Sequence, residues 1–165
     1  MNIIADMHTH TVASGHAYST VNEMAREAAL KGLEALAFTD HGPALPGGPH
    51  LYHFGALRFI PSRICGVRIL RGVEANIIAL DGSVDMPDAY LAKLDFAIAG
   101  FHEGCGFDDQ GIDLNSEAVV RAMANPGVKA IAMPAIRPFP SISKNSSKQR
   151  CEPVRHWRST TLPFS

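Results

Sequence analysis

The residues with chemistry in them are histidines and carboxylates, and their placement repeats. His8 and His10 stand two apart in Asp6-Met7-His8-Thr9-His10-Thr11, and His16 follows shortly after. His41 closes Phe38-Thr39-Asp40-His41-Gly42, Glu74 lies in Gly72-Val73-Glu74-Ala75-Asn76, and His102 lies in Ala99-Gly100-Phe101-His102-Glu103. Imidazole nitrogens together with a carboxylate suit zinc, manganese or iron. A lone histidine is ordinarily a surface or core residue. A ligand-type residue recurring at successive strand ends is hard to reach by accident, and it predicts convergent metal binding.

Those residues must be brought together by the elements around them. Ile3 to Thr11 reads as a strand whose alternation sets Asp6, His8 and His10 on one face. Ser19 is the expected cap of a helix with Val21, Met24, Ala25, Ala28 and Ala29 on its apolar side and Gly32 at its end. Leu33 to Phe38 is a second strand, followed by a Pro/Gly-rich loop over Pro43 to Pro49 and helical material through Phe54 to Ile60. A third strand begins at Val67 to Leu70 and continues through Glu74 to Asn76. A short helix closes over Tyr90 to Leu94, a strong strand spans Leu94 to Phe101, Ser116 to Ala124 is helical, and Val128 to Ala132 is a fifth strand. Strand and helix thus alternate in units of roughly 30 residues, the pattern of parallel α/β folds. Parallel strands deliver their C-terminal ends to one mouth, so the five strand ends should converge. A closed barrel of such units needs roughly 250 residues, more than this chain has.

In order, the DMHTHT segment, His16, the FTDHGP segment, the GVEAN segment and the AGFHE segment resemble the PHP (polymerase and histidinol phosphatase) domain family. They look closest to its YcdX-like branch of small bacterial phosphatases, and the resemblance runs through residues 1–132. It implies an α/β fold, an incomplete distorted (β/α)7 TIM-like barrel with about five βα units present. It also implies a site for up to three divalent ions, zinc first, with manganese or iron as alternatives, and hydrolysis of small phosphate esters. By the resemblance, His8, His10 and Glu74 hold one metal, Glu74 bridges to a second with His102, and His16 and His41 hold a third. Asp6 and Asp40 fit as groups that orient imidazoles, not as ligands. The chemistry implied is attack on phosphorus by water whose pKa a metal lowers to about 7. No protein nucleophile is needed, so Ser14, Ser19 and Cys105 carry no expected role. His50, His53 and Arg58 follow the loop after the second strand. They are expected to meet a substrate phosphate or protonate a leaving group, with a solvated loop as the equal alternative.

The pattern breaks after Ala132. The family carries a histidine after its fifth strand, where this chain has Met133, and its later Asp-x-His has no counterpart. Each of the three metals would lack a protein ligand. Residues 1–132 carry nine Lys/Arg and fifteen Asp/Glu, net −6, whereas 133–165 carry six Lys/Arg and one acid, net +5. The tail is basic, Pro/Ser-rich and without period, which reads as disorder. Codons allowed from Ala132 onward, shifted by one base, can spell His-Ala-Gly-Asn-Pro-Ala-Phe-Pro-Ile-Asp-Ile, and from His156 onward Leu-Glu-Ile-Asn-Asn-Ser-Ser-Phe. Both strings resemble in-frame family sequence, so a single-base deletion near codon 132 is the expected origin of residues 133–165.

Composition excludes several classes. A formal net charge of −1 gives no reason to expect nucleic-acid or membrane-surface binding. Cys65, Cys105 and Cys151 are odd in number and widely spaced, neither a disulfide framework nor a zinc ribbon. The N-terminus lacks the apolar core of a signal peptide, so a cytoplasmic setting is expected. Two competing functions remain: an amidohydrolase-like hydrolase, which also opens with His-x-His, and a non-catalytic metal-binding protein or fragment. The expected partner is a small phosphate ester, and the sequence is silent on oligomeric state.

Overall fold

The computed structural model describes residues 4–133. The tail beyond Met133 lies outside the described residues. Ten residues, Val67–Asn76, form the longest strand, β4, at the centre of the sheet. The odd-numbered side chains Val67, Ile69, Val73 and Ala75 pack under helices, so Glu74 and Asn76 are turned to the opposite face. Around β4 stand β1 (Ala5–Thr9), β2 (Ala35–Phe38), β5 (Phe96–Gly100) and β6 (Ala130–Met133), in the order β1-β2-β4-β5-β6, every neighbouring pair parallel. The sheet curls into a half-barrel, as expected of an incomplete TIM-like barrel. A two-residue strand, β3 (Arg63–Ile64), adds an antiparallel hairpin to the start of β4.

Three apolar clusters seat the helices on the outer face. Helix α1 (Val21–Leu30) lays Ala25 and Ala28 on Leu36, Phe38, Val67 and Ile69. Helix α2 (Leu51–Ala56) runs into a 3-10 turn, Leu57–Phe59, and Phe54 and Leu57 reach Val73 and Ala75 together with Met86 and with Leu91 of α3 (Asp88–Leu91). Helix α4 (Ile112–Met123) sets Ala118 and Ala122 against Ile77, Ala99 and Val128. Alanine recurs at these contacts because a small side chain lets the helix axis approach the sheet closely.

The element types agree with the sequence expectations, and several boundaries differ for physical reasons. The cap of α1 is Thr20 rather than Ser19, because Glu23 three residues on completes a capping box with it. Helix α4 starts four residues before Ser116, since Asn115 accepts from the Gln110 N–H and donates to Asp109, tying the preceding loop to the first turn. The β3 hairpin was not expected; Cys65 and Gly66 at its tip have φ of 51° and 84°, the left-handed pair that closes a two-residue turn. No helix among the described residues is long and apolar enough to cross a membrane.

Candidate metal centre

Glu74 lies on the inner face of β4, 1% exposed, at the C-terminal mouth of the half-barrel. Four imidazoles ring its carboxylate. His8 Nε2 is 3.0 Å, His10 Nε2 3.2 Å and His41 Nδ1 3.2 Å from Oε2, and His102 Nε2 is 3.4 Å from Oε1. His16 joins from the turn after β1, its ring 5.2 Å from that of His10 and 4.9 Å from that of His41. All six predicted ligand residues are therefore brought together. They form three overlapping groups, His8/His10/Glu74, His41/Glu74/His102 and His10/His16/His41, each with ligand atoms within 4.8 Å of one another.

The backbone that presents them is tied at every strand end. Thr9 and Thr39 exchange bonds between β1 and the end of β2: Thr9 N–H donates to Thr39 Oγ1 and Thr39 N–H to Thr9 O. His41 bridges to Glu74 beyond the regular pairing of β2 and β4, with the Glu74 N–H donating to Asp40 O and the Gly42 N–H to Glu74 O. Gly100, on β5 opposite Asn76, has no side chain to fill the space beside His102 and Glu74; a Cβ there would sit 3.3 Å from His102 Cε1.

The electrostatics favour a cation. Burial opposes ionisation of Glu74, but the surrounding His10, His102 and His8 outweigh it and hold the carboxyl well below the usual range. Burial pushes His41 down to about 4 from 6.5, with His102, His10 and His16 adding to the effect against the pull of Glu74, so this imidazole stays neutral at neutral pH. A neutral imidazole is the metal-ligating form. Among the described residues the buried His102 Nδ1 has no hydrogen-bond partner, and the buried His41 Nδ1, though 3.2 Å from Glu74 Oε2, makes no well-formed hydrogen bond. Bare buried nitrogens around a buried carboxylate cost free energy unless something positive sits among them. The donor set and these orphaned atoms fit a divalent ion.

Asp40 is buried and accepts from the Thr11 N–H at 2.7 Å, from Thr11 Oγ1 at 2.8 Å and from Ser14 Oγ at 2.8 Å. Burial raises its pKa, and His53 with these donors lowers it further, leaving a net depression. It touches no ligand imidazole directly; its link to His10 runs through Ser14, a residue given no role by sequence reasoning. The signal for Ser14 was present only indirectly, as a buried aspartate in need of donors. Asp6 departs further from expectation. The β1–β2 pairing shifts register between Asp6 and Thr9, and the exposed Asp6 accepts from the backbone N–H of His8, with no side-chain bond to an imidazole among the described residues.

The three substrate candidates separate. His53 Nε2 lies 3.3 Å from Asp40 Oδ2, at the rim of the cluster. His50 is the exposed cap of α2, accepting from the Tyr52 N–H. The Arg58 guanidinium lies 4.7 Å over the Phe59 ring. Among the described residues neither His50 nor Arg58 makes a hydrogen bond, ion pair or ring contact with the six clustered residues.

Residues 6–134 match the model of the PHP domain. The chain belongs to the PHP domain family. A probable phosphatase of Acetivibrio thermocellus is 55% identical over 140 residues, 85% of this chain and 58% of its own length. Probable phosphatases of Caldanaerobacter subterraneus subsp. tengcongensis and Syntrophotalea carbinolica are 48% and 49% identical, over 55% and 56% of their lengths. The chain thus spans a little over half the length of these relatives. The matched PHP domain contains all six clustered residues and ends beside Met133, the last residue of β6.

Proposed function

We propose that the PHP domain of this chain is the N-terminal part of a metal-dependent phosphoesterase acting on small phosphate monoesters. The observation that carries this is the Glu74 carboxylate ringed by four imidazole nitrogens at 3.0–3.4 Å. His8, His10 and Glu74 would hold one ion, Glu74 and His102 a second, and His16 and His41 a third, each imidazole giving one nitrogen. Zinc suits this nitrogen-rich set best, with manganese or iron as substitutes. When bound, such ions supply Lewis acidity for phosphate oxygens and a coordinated water that ionises near neutral pH. The chain's own residues do the rest. Glu74 would offer a carboxylate oxygen to each of two ions, and the buried neutral His41 would add a nitrogen donor without adding charge. His53, beside Asp40 at the rim, is placed to hold a proton for a leaving oxygen. The relatives' printed names support a phosphatase over an amide hydrolase.

Met133 would stand where a nitrogen ligand is needed. Its backbone pairs with Gly100, beside Glu74 and His102, and a thioether is a poor ligand for a site of this hardness. Residues 133–165 would then be an out-of-frame replacement for the rest of the domain, which gene sequencing tests: intact triplets with no frame restoring the motif would sink it. The functional test compares metal content and p-nitrophenyl phosphate hydrolysis in this chain, a frame-restored version, and Glu74→Gln in the restored background. We expect close to three metals and hydrolysis in the restored protein, weak metal uptake and little hydrolysis in this chain, and loss of both with Glu74→Gln. Equal activity in the first two would remove the case for a damaging tail. No metal in either would defeat the phosphoesterase assignment.

A further inference from the structure

Ser14 is buried, 2% exposed, at the end of a three-residue 3-10 turn (Val12–Ser14) capped by Thr11 and closed by Gly15 at φ 77°. Its hydroxyl has three polar neighbours: Asp40 Oδ1 at 2.8 Å, His10 Nδ1 at 3.0 Å and the His41 backbone N–H at 3.2 Å. Its own carbonyl oxygen lies 3.1 Å from His16 Nδ1.

A hydroxyl has one proton to give and two lone pairs to receive. The His41 N–H can only donate to it. Were the Ser14 proton turned toward His10, two oxygens would face each other at 2.8 Å with nothing between them, and one of them belongs to a carboxylate. The proton therefore goes to Asp40, and His10 Nδ1 must donate to Ser14 Oγ. A neutral imidazole carries one N–H, so His10 Nε2 is left bare; it can accept from His8 Nε2, 3.1 Å away, while the Glu74 carboxylate at 3.2 Å is the acceptor that competes with Ser14 for the His10 proton when no ion is bound. The carbonyl of Ser14 can only accept, so His16 Nδ1 is likewise the protonated nitrogen and its Nε2 is bare.

We propose that Ser14 is the positioning residue of this site: its hydroxyl, oriented by Asp40, sets the tautomer of His10, while its carbonyl sets that of His16 and its Oγ anchors the backbone of His41. This deepens the metal-centre assignment above and rests on it only for the purpose served. It gives Asp40 its part, as the acceptor that decides which way the Ser14 proton points. A ligating histidine whose other nitrogen is held in this way is pre-oriented, and loss of such a partner commonly costs roughly 10–100-fold in metal affinity.

The test uses the full chain, stripped of metal by chelation, at about pH 8, where an ordinary imidazole is neutral. Long-range proton–nitrogen NMR of ¹⁵N-histidine-labelled protein reads which nitrogen of each ring carries the proton. In the unaltered chain we expect both His10 and His16 to be Nδ1-protonated. In Ser14→Ala, His10 should lose that preference while His16 keeps it, since the carbonyl remains, and zinc affinity should fall roughly 10–100-fold. Three results overturn the proposal: His10 protonated on Nε2 in the unaltered chain, His10 unchanged in Ser14→Ala, or both rings changing together, which would mean that the turn and not the hydroxyl is responsible. Should Ser14→Ala fail to fold, the spectrum of the unaltered chain still decides. Expected tautomers with no zinc uptake in either this chain or its frame-restored version would defeat the phosphoesterase assignment and leave the hydrogen-bond assignment standing.

Discussion

At the scale of single residues the site is a contest between burial and charge, and His41 shows which wins. Its imidazole is pushed down to about 4, mainly by burial. In the unfolded chain it takes a proton below about 6.5, whereas in the folded chain it waits until about 4. The unfolded state therefore binds the extra proton throughout that window, and folding stability falls as pH falls through it. Glu74 acts in the same direction at lower pH, because its carboxylate is held ionised in the fold and protonates more readily once unfolded. The metal-free protein should thus melt at steadily lower temperature from pH 7 down to pH 4, and His41→Asn should flatten the upper part of that slope. The His41 contribution is on the order of 3 kcal/mol across the window. Thermal melts by circular dichroism check this; a melting temperature independent of pH between 7 and 5 would contradict it. Five of the six ligand-type residues were legible in the sequence because each sets a histidine or carboxylate near a strand end, whereas His16, in the turn after β1, was picked out only by the family resemblance. Ser14 was not legible, since a serine in a turn has no spacing that sets it apart, and its value comes from Asp40 across the β1–β2 junction.

At the scale of elements, what matters is how closely β2, β4 and β5 approach, and Gly72 sets that distance. A Cβ on Gly72 would run into the carbonyl oxygen of Phe96 on β5 and come within 3.1 Å of that of Phe38 on β2. Both obstacles are backbone, so neither can rotate away. Gly72→Ala should force the strands apart two residues before Glu74, costing about 1–3 kcal/mol and loosening the cluster. Gly55→Ala is the counterpart: in α2 its Cβ meets only Tyr90 Cε1, at 3.6 Å, an ordinary contact. It should stabilise by roughly 0.5–1 kcal/mol through helix propensity. Urea unfolding of both variants checks the opposite signs, and equal effects would mean the approach at Gly72 is not tight. The βα alternation and the parallel sheet were readable because apolar runs such as LDFAIAGF have the length and composition of buried parallel strands. Helix starts were less so, because the local ties at Glu23 and Asn115 decide them rather than periodicity.

At the scale of the molecule, the half-barrel has two edges among the described residues, β1 and β6, each paired on one side only. A parallel strand is ordinarily buried on both sides, and an edge of unpaired N–H and C=O groups is a template for another chain. In β6 that edge is built from Ala130, Ile131 and Ala132, with no charge to deter pairing. On the function proposed above, the inner face, where Glu74 and its histidines lie, would also depend on closure of the barrel to exclude water and complete the ligand set. Stability, solubility and metal affinity should therefore be lost together and restored together. The expectation is that this chain elutes partly as higher-order species in size-exclusion chromatography at micromolar concentration, while a frame-restored version elutes as a discrete species. Zinc should sharpen the restored protein's melt and leave this chain's nearly unchanged, because ligand binding stabilises only a fold that holds the ligand. A discrete, zinc-stabilised species from this chain alone would show that five βα units and six ligands make a self-sufficient centre, and the part assigned to the rest of the domain would then be catalytic or substrate-binding rather than structural.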